Sequence, residues 1–339
     1  MDLFFVLLVI SIVFGESAER QTDASGWEWS RRMHRVEELV RHWAPLVWLA
    51  PGERYFPSDV SGFLQHVMPH RNAGKFSESW YLATKLSIDS LLLDSTSFLY
   101  GTNPALSAVP VYAVVSTCPN KSALFHVTYW MFYPYSQGKP LCMVDTGLFG
   151  TWPVPAFNAQ CLGKVREYGS HIGDWEHMSL EFRGHGSLPS AMYVSTHDAG
   201  AFYWYNAAIG AFEYDRQEVR KGVLQRPVFP PRANVTSVGQ HPILFAARGS
   251  HGLWTAPGRH KYVKVAGLHD DTGYGELWPT WKHVQVIHDS AMLPAWLQFR
   301  GRWGNPKSKC HPVARLALSI CQYSDGPTGI PMKENHFKC

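Results

Sequence analysis

Charge is scarce in this chain. Asp, Glu, Lys and Arg make up 17% of its 339 residues, and 31 basic side chains exceed 27 acidic ones by a formal +4. No block of like charge stands out, so there is no electrostatic footprint for a nucleic-acid partner. Long apolar runs are missing too. The one such stretch, Leu3 to Phe14, is broken only by Ser11 and falls short of the roughly 20 residues that span a bilayer. Nothing later is longer, so no transmembrane segment is expected once that stretch is removed. The chain also has no CxxC pair, no HExxH, no GxSxG, no P-loop and no dinucleotide fingerprint. Those absences argue against zinc knuckles, zincin proteases, nucleophile-elbow esterases and phosphate-cradling nucleotide folds. Tandem repeats and low-complexity linkers are absent as well.

What the amino terminus does have is an apolar run followed by Gly15-Glu16-Ser17, small residues at a cleavage spacing. Residues 1–17 therefore read as a secretory signal peptide, although Asp2 stands where a basic residue is usual. The expected location is extracellular or the lumen of the secretory pathway. Six cysteines follow, Cys118, Cys142, Cys161, Cys310, Cys321 and Cys339. An even number in an oxidising compartment predicts disulfides, with fifteen possible pairings. Loop closure favours the local pairs Cys142–Cys161 and Cys310–Cys321, which leaves Cys118 and Cys339 to each other. The sequons at Asn120 and Asn234 suit N-glycosylation of a secreted protein.

The chain is rich in aromatic, Gly and Pro residues: 14 Trp, 28 Gly and 23 Pro. About 320 residues after cleavage can bury a substantial core. Near the start, Met33, Val36, Leu39, Val40 and Trp43 fall on one helical face. Ser25 and Glu28 have capping-box spacing, and Pro45 stops the pattern. Beyond it, β-type runs recur at Val109–Thr117, Ala123–Tyr135, Glu176–Arg183, Ala191–His197, Ile243–Ala247, Tyr262–Val265 and His283–His288. No regular alternation with helices appears, which disfavours a doubly wound sheet. The predicted fold is mainly β, an antiparallel two-sheet, sandwich-like domain with long loops and a few peripheral helices. Ala291–Phe299 reads as a short second helix. The predicted organisation is a signal peptide (1–17), an N-terminal helical segment (18–44), a β-rich domain (45–305) and a cysteine-containing C-terminal extension (306–339).

The densest chemistry lies in Gly169-Ser170-His171-Ile172-Gly173-Asp174-Trp175-Glu176-His177. If a strand begins at Asp174, then Asp174 and Glu176 share a face with Met178, Leu180 and Phe182, about 7 Å apart. Trp175 and His177 then point to the other face. Buried carboxylates require a partner: a metal, a cationic side chain or a proton. His171, Asp174, His177 and His197 form the candidate metal set, and their mixed nitrogen–oxygen chemistry suits a divalent transition metal such as zinc or manganese. In that scheme Glu176 is the general base and His251 steadies a developing anion. The bland alternative has Asp174 capping a turn, Glu176 pairing with Arg248, and the histidines as satisfied structural groups. The aromatic strip Phe202-Tyr203-Trp204-Tyr205 could stack on a sugar or meet a membrane surface, though aromatics are more often buried.

An ordered set of motifs carries a family resemblance: Pro45-Leu46-Val47-Trp48, Glu53-Arg54-Tyr55-Phe56-Pro57-Ser58-Asp59-Val60, Tyr129-Trp130-Met131-Phe132-Tyr133-Pro134-Tyr135, His171 to His177, Tyr193 to Gly200, Arg248-Gly249-Ser250-His251-Gly252, Asp270-Asp271-Thr272 and Arg302-Trp303-Gly304. Over residues 40–305 the chain resembles the Vps62 family, which is similar to the plant DUF946 proteins. The resemblance implies a link to vacuolar protein sorting and supplies no established reaction. The functional expectation is a secreted, metal-assisted hydrolase or lyase built around the Gly-Asp-Trp-Glu-His motif. The alternative is a non-catalytic secreted module that binds a glycan or lipid. The partner is then a small molecule, a glycan or a lipid.

Overall fold

The computed structural model describes residues 30–73, 78–118, 125–147, 151–154, 161–184, 186–220, 225–263, 268–310, 321–333 and 336–337. The expected signal peptide, the capping residues Ser25 and Glu28, Asn120 and Cys339 lie outside them. The chain divides into two compact units, residues 1–42 and 43–339. In the first, residues 30–42 are helical, and Val36 and Val40 of the expected apolar face are buried.

The second unit is mainly β. Its backbone is an eight-stranded sheet ordered Arg232–Ala233, Ala211–Val219, Ala199–Asn206, Ala191–Thr196, His171–Phe182, Phe125–Ser136, Val111–Thr117 and Val284–His288. All neighbours are antiparallel except the last pair, where Val284–His288 runs parallel to Val111–Thr117. The two long central strands, Phe125–Ser136 and His171–Phe182, are buried on both faces along almost their whole length. On one face an aromatic core gathers Tyr55, Phe63, Trp130, Phe132, Trp175 and Trp303. On the other lies a four-stranded sheet ordered Leu253–Trp254, Ile243–Ala246, Leu46–Trp48 and Leu277–Pro279, whose Leu253–Trp254 strand touches His171–Phe182 and Ala191–Thr196. That sheet is also mixed, since Leu46–Trp48 pairs in parallel with Ile243–Ala246. The expected two-layer β architecture therefore stands, with a parallel pair in each large sheet. The expected strand at Tyr262–Val265 shows only an isolated bridge, Gln225 with Val263, in its described part. The second helix shrinks to Ala295–Gln298.

Gly173 decides how the site strand sits. Its φ is +65°, and an added Cβ would lie 2.0 Å from the Trp303 carbonyl oxygen. Only glycine accepts both that conformation and that contact. Pairing with the neighbouring strand jumps there from Ile172–Tyr135 to Asp174–Tyr133. Alternation breaks with it, so Ile172 and Trp175, three residues apart, enter the same aromatic core. From Asp174 onward the strand alternates as the sequence predicts.

Cys142–Cys161 and Cys310–Cys321 are disulfide-bonded, as loop closure suggests. Cys118 is also in a disulfide. Asn234 is exposed. Among the described residues no helix is long and apolar enough to cross a membrane.

Candidate functional site

The central sheet splits at one place. His171–Phe182 pairs with Ala191–Thr196 only between Met178–Val194 and Glu181–Ala191. Before Met178 the two strands part, because the hairpin after Thr196 turns away at His197, whose φ is +51°. Arg220 grips that hairpin tip, donating to the carbonyl oxygens of His197 and Ala199 at 2.8 and 3.1 Å. A polar cavity of about 620 Å3 opens in the split, walled by the site strand, the hairpin tip, the segment 324–328 and the residues Met332, Lys333 and His336. Because the cavity adjoins an unpaired strand edge, side chains from both faces of the strand reach it. Asp174, Trp175, Glu176 and His177 all line it.

Asp174 is buried and receives Nδ1–H of His251 at 3.1 Å. Nε2–H of His251 donates to the Tyr55 carbonyl oxygen at 3.0 Å. Both ring nitrogens of His251 thus face oxygen atoms, one of a carboxylate and one of the backbone. It stacks on Tyr133 with centroids 3.9 Å apart. Burial opposes ionisation of Asp174. The His251 hydrogen bond and the nearby charges of His171, His251 and Lys333 outweigh it and hold the carboxyl below its ordinary value. Glu176 goes the other way. Burial first, and the Asp174 charge second, push its carboxyl well above the ordinary range. Two carboxyls two residues apart are thus pushed in opposite directions, Asp174 toward the ionised form and Glu176 toward the neutral one.

A second anion is built beside them. Asp270 is fully buried and accepts four hydrogen bonds: Lys139 Nζ at 2.8 Å, Ser250 Oγ at 2.9 Å, His197 Nε2 at 2.8 Å and Trp254 Nε1 at 3.0 Å. Burial opposes its ionisation, but His197 and Lys139 overcome this and keep the carboxyl well below the usual range. A buried carboxylate with all its lone pairs engaged is a structural clamp. This one locks the hairpin tip to the loop after Gly249.

On the other face of the strand His177 lies between rings, 4.3 Å from Trp130, 5.8 Å from Tyr193 and 5.4 Å from His336 by centroid. It is 2% exposed, and neither ring nitrogen has a hydrogen-bond partner among the described residues. Burial, then the charges of Lys333, His336 and Arg220, push its imidazole well below the ordinary value, so it is neutral. Lys333 Nζ donates to the Trp175 carbonyl oxygen at 3.1 Å, one of the groups left without a strand partner by the split. Burial lowers its pKa despite Glu176 and Asp174 nearby.

The residues expected to bind a metal do not assemble. Among the described residues no three His, Cys, Asp or Glu side chains converge to hold an ion. His171 Nδ1 is spent on the Gly173 carbonyl oxygen at 2.7 Å, His197 Nε2 on Asp270, and His177 faces away from Asp174. His171, Asp174, His177 and His197 therefore do not fit the expected zinc or manganese site. His251 is wholly buried and stands outside the cavity wall. Arg248 meets Asp271 rather than Glu176, at 3.4 Å. In the aromatic strip, Phe202 and Tyr203 are buried and Trp204 is the exposed member at 46%. Sequence reasoning missed Asp270, Lys139, Arg220, Lys333 and His336. Asp270 carried a signal, since it opens one of the family-like motifs. The others are lone basic residues with no local pattern.

Comparison with known proteins gives two yeast relatives. The putative vacuolar protein sorting-associated protein TDA6 of Saccharomyces cerevisiae is 24% identical over 331 residues, covering 88% of this chain and 68% of its own length. Vacuolar protein sorting-associated protein 62 of the same yeast is 24% identical over 345 residues, covering 88% of this chain and 66% of its own length. The chain thus spans about two thirds of each relative. The resemblance to the Vps62 family read from the motifs is borne out. The likeness to DUF946 rests on the motifs alone. No family model matches the chain, and no solved structure does.

Proposed function

We propose that this Vps62-like chain is a secreted acid–base catalyst, a hydrolase or lyase of a small polar molecule, working from the cavity in the split sheet. One observation carries the reading: Asp174 and Glu176 lie two residues apart on the cavity wall, and their surroundings push the two carboxyl pKa values in opposite directions. Environments that drive a pair of titratable groups apart are how one site supplies both an acid and a base near neutral pH. Glu176, neutral, is placed to donate a proton to a leaving group. Asp174, ionised, is placed to accept one or to stabilise positive charge. Glu176 therefore takes the role of acid rather than the base expected from sequence. His251 stands outside the cavity wall and acts through Asp174 as a positioning residue. The volume, about 620 Å3, lies within the range of small-molecule sites.

The test is a direct titration of the carboxyl carbons of Asp174 and Glu176 by nuclear magnetic resonance. The reading expects Glu176 to ionise well above its ordinary value and Asp174 below. Ordinary titration of Glu176 would remove the general acid and with it the catalytic reading. Chromogenic esters and glycosides then serve as first substrates, with Glu176→Gln as the control that must abolish turnover.

A further inference from the structure

The cavity contains a feature that proton transfer between Asp174 and Glu176 does not use. His177 and His336 stand face to face in the cavity wall, their rings 14° from parallel. Among the described residues, both nitrogens of His177 and Nε2 of His336 lack partners, as does the indole nitrogen of Trp175. Leaving a buried polar atom unpaired is costly, and a set of them in one wall is a site prepared for a ligand's own hydrogen-bonding groups. A neutral imidazole offers one donor and one acceptor. Its complement is a group that both accepts and donates, as a hydroxyl does.

The charges in the wall point the same way. Each cation is already engaged by the chain. Arg220 donates to Tyr193 Oη at 2.7 Å and lies 3.7 Å from Glu218, Arg302 donates to the Gly326 carbonyl oxygen at 3.0 Å, and Lys333 is bound to Trp175 beside two carboxyls. Among the described residues, every arginine and lysine of the wall thus has at least one protein partner. Resting on the acid–base reading above, the geometry points to an uncharged, polyhydroxylated substrate, a sugar or cyclitol, whose hydroxyls pair with His177 and His336 while the bond to be broken lies toward Glu176. Trp130 and Tyr193 back the two imidazoles and fix their ring planes, with Tyr193 3.5 Å from His336. That rigidity would set the directions in which hydroxyls are accepted.

The probes are glucose, galactose, mannose, xylose and myo-inositol, each titrated into protein labelled with 15N in its histidine rings. At least one should shift the His177 and His336 ring signals saturably. His177→Phe keeps the ring stack and removes both nitrogens, and should weaken that binding at least tenfold. His336→Phe is the second variant should the first fail to fold. Glu176→Gln should leave binding intact, which separates ligand recognition from the chemistry. The inference is overturned if none of the five compounds shifts the ring signals. It is equally overturned if inorganic phosphate or acetate shifts them instead, or if both Phe variants fold and bind the sugar as well as the parent. The titration of Glu176 is a separate measurement, so the acid–base reading can survive any of these outcomes.

Discussion

At the scale of single residues, Glu176 separates a catalytic role from a structural one. It forms no ion pair among the described residues and is held neutral by its surroundings, so Glu176→Gln replaces one uncharged hydrogen-bonding group with another of the same shape. The variant should fold normally, with a melting temperature close to the parent's, and lose turnover. A large drop in melting temperature would make Glu176 a structural partner instead. Asp270→Asn should behave in the opposite way. It removes the anion that Lys139 and His197 both face at 2.8 Å, and breaking a buried pair by neutralising one partner costs about 3–5 kcal/mol. Denaturant unfolding should show that loss, and an unchanged midpoint would contradict the clamp. Trp175→Ala removes a ring that packs 4.8 Å from Phe132 and 5.1 Å from Trp303 by centroid. Loss of so large a buried ring costs about 3–5 kcal/mol, and the same measurement checks it.

At the scale of elements, the site exists because two strands that pair over four residues then stop pairing. The C-terminal segment completes the wall, and Lys333 occupies part of the exposed strand edge. Its charge works against the neutral state of Glu176. Lys333→Met should therefore raise the pKa of Glu176 further, which the same carboxyl titration reads. A Glu176 value that falls or stays fixed would show that Lys333 does not face the carboxyl as the structure places it. Helix and strand expectations fared according to how local their causes are. The helix over 30–42 and the strands at 111–117, 125–136 and 191–196 follow from periodicity within a few residues of where it placed them. The start of the site strand does not. Its first residues pair through a glycine kink made necessary by Trp303, 130 positions away in sequence, and no local pattern encodes such a contact.

At the scale of the whole molecule, buried titratable groups make stability depend on pH with a definite sign. His177 is held well below its ordinary value by burial and by Lys333, His336 and Arg220, and His336 is pushed down to about 3 by burial and Arg220. Burial also lowers His126 and His260. In the unfolded chain these rings take up protons below about pH 6.5. The folded protein does not follow until much lower pH, so stability falls as pH drops through that window. For a ring as buried as His177 the slope is about 1.4 kcal/mol per pH unit. Asp174 and Asp270, both depressed, add stability that is present above about pH 4 and is lost as pH falls through their folded values. Glu176, raised, has the opposite sign and weakens the fold as pH rises above about 4.5. The sum favours neutral pH. Melting temperature should decline steadily from about pH 7 to about pH 4.5, and a flat profile would mean that these imidazoles are not held neutral.

The sequence by itself determined the mainly β class, the N-terminal helix, two local disulfides, the family resemblance and the stretch where the chemistry lies. Each of these depends on periodicity, spacing or ordered motifs, which are properties of neighbouring residues. It also placed Asp174 and Glu176 on one face and Trp175 and His177 on the other, because a strand alternates wherever it forms. Tertiary structure alone decided what those side chains meet. His197 finds Asp270 rather than a metal, Arg248 finds Asp271 rather than Glu176, and His251 finds Asp174 and the Tyr55 carbonyl. Arg220 comes to the cavity from one part of the chain and Lys333 and His336 from another, while Lys139 reaches Asp270 from a third. Partner choice among buried polar groups is set by which long-range contacts satisfy every donor and acceptor at once, and that condition is met only by the folded molecule.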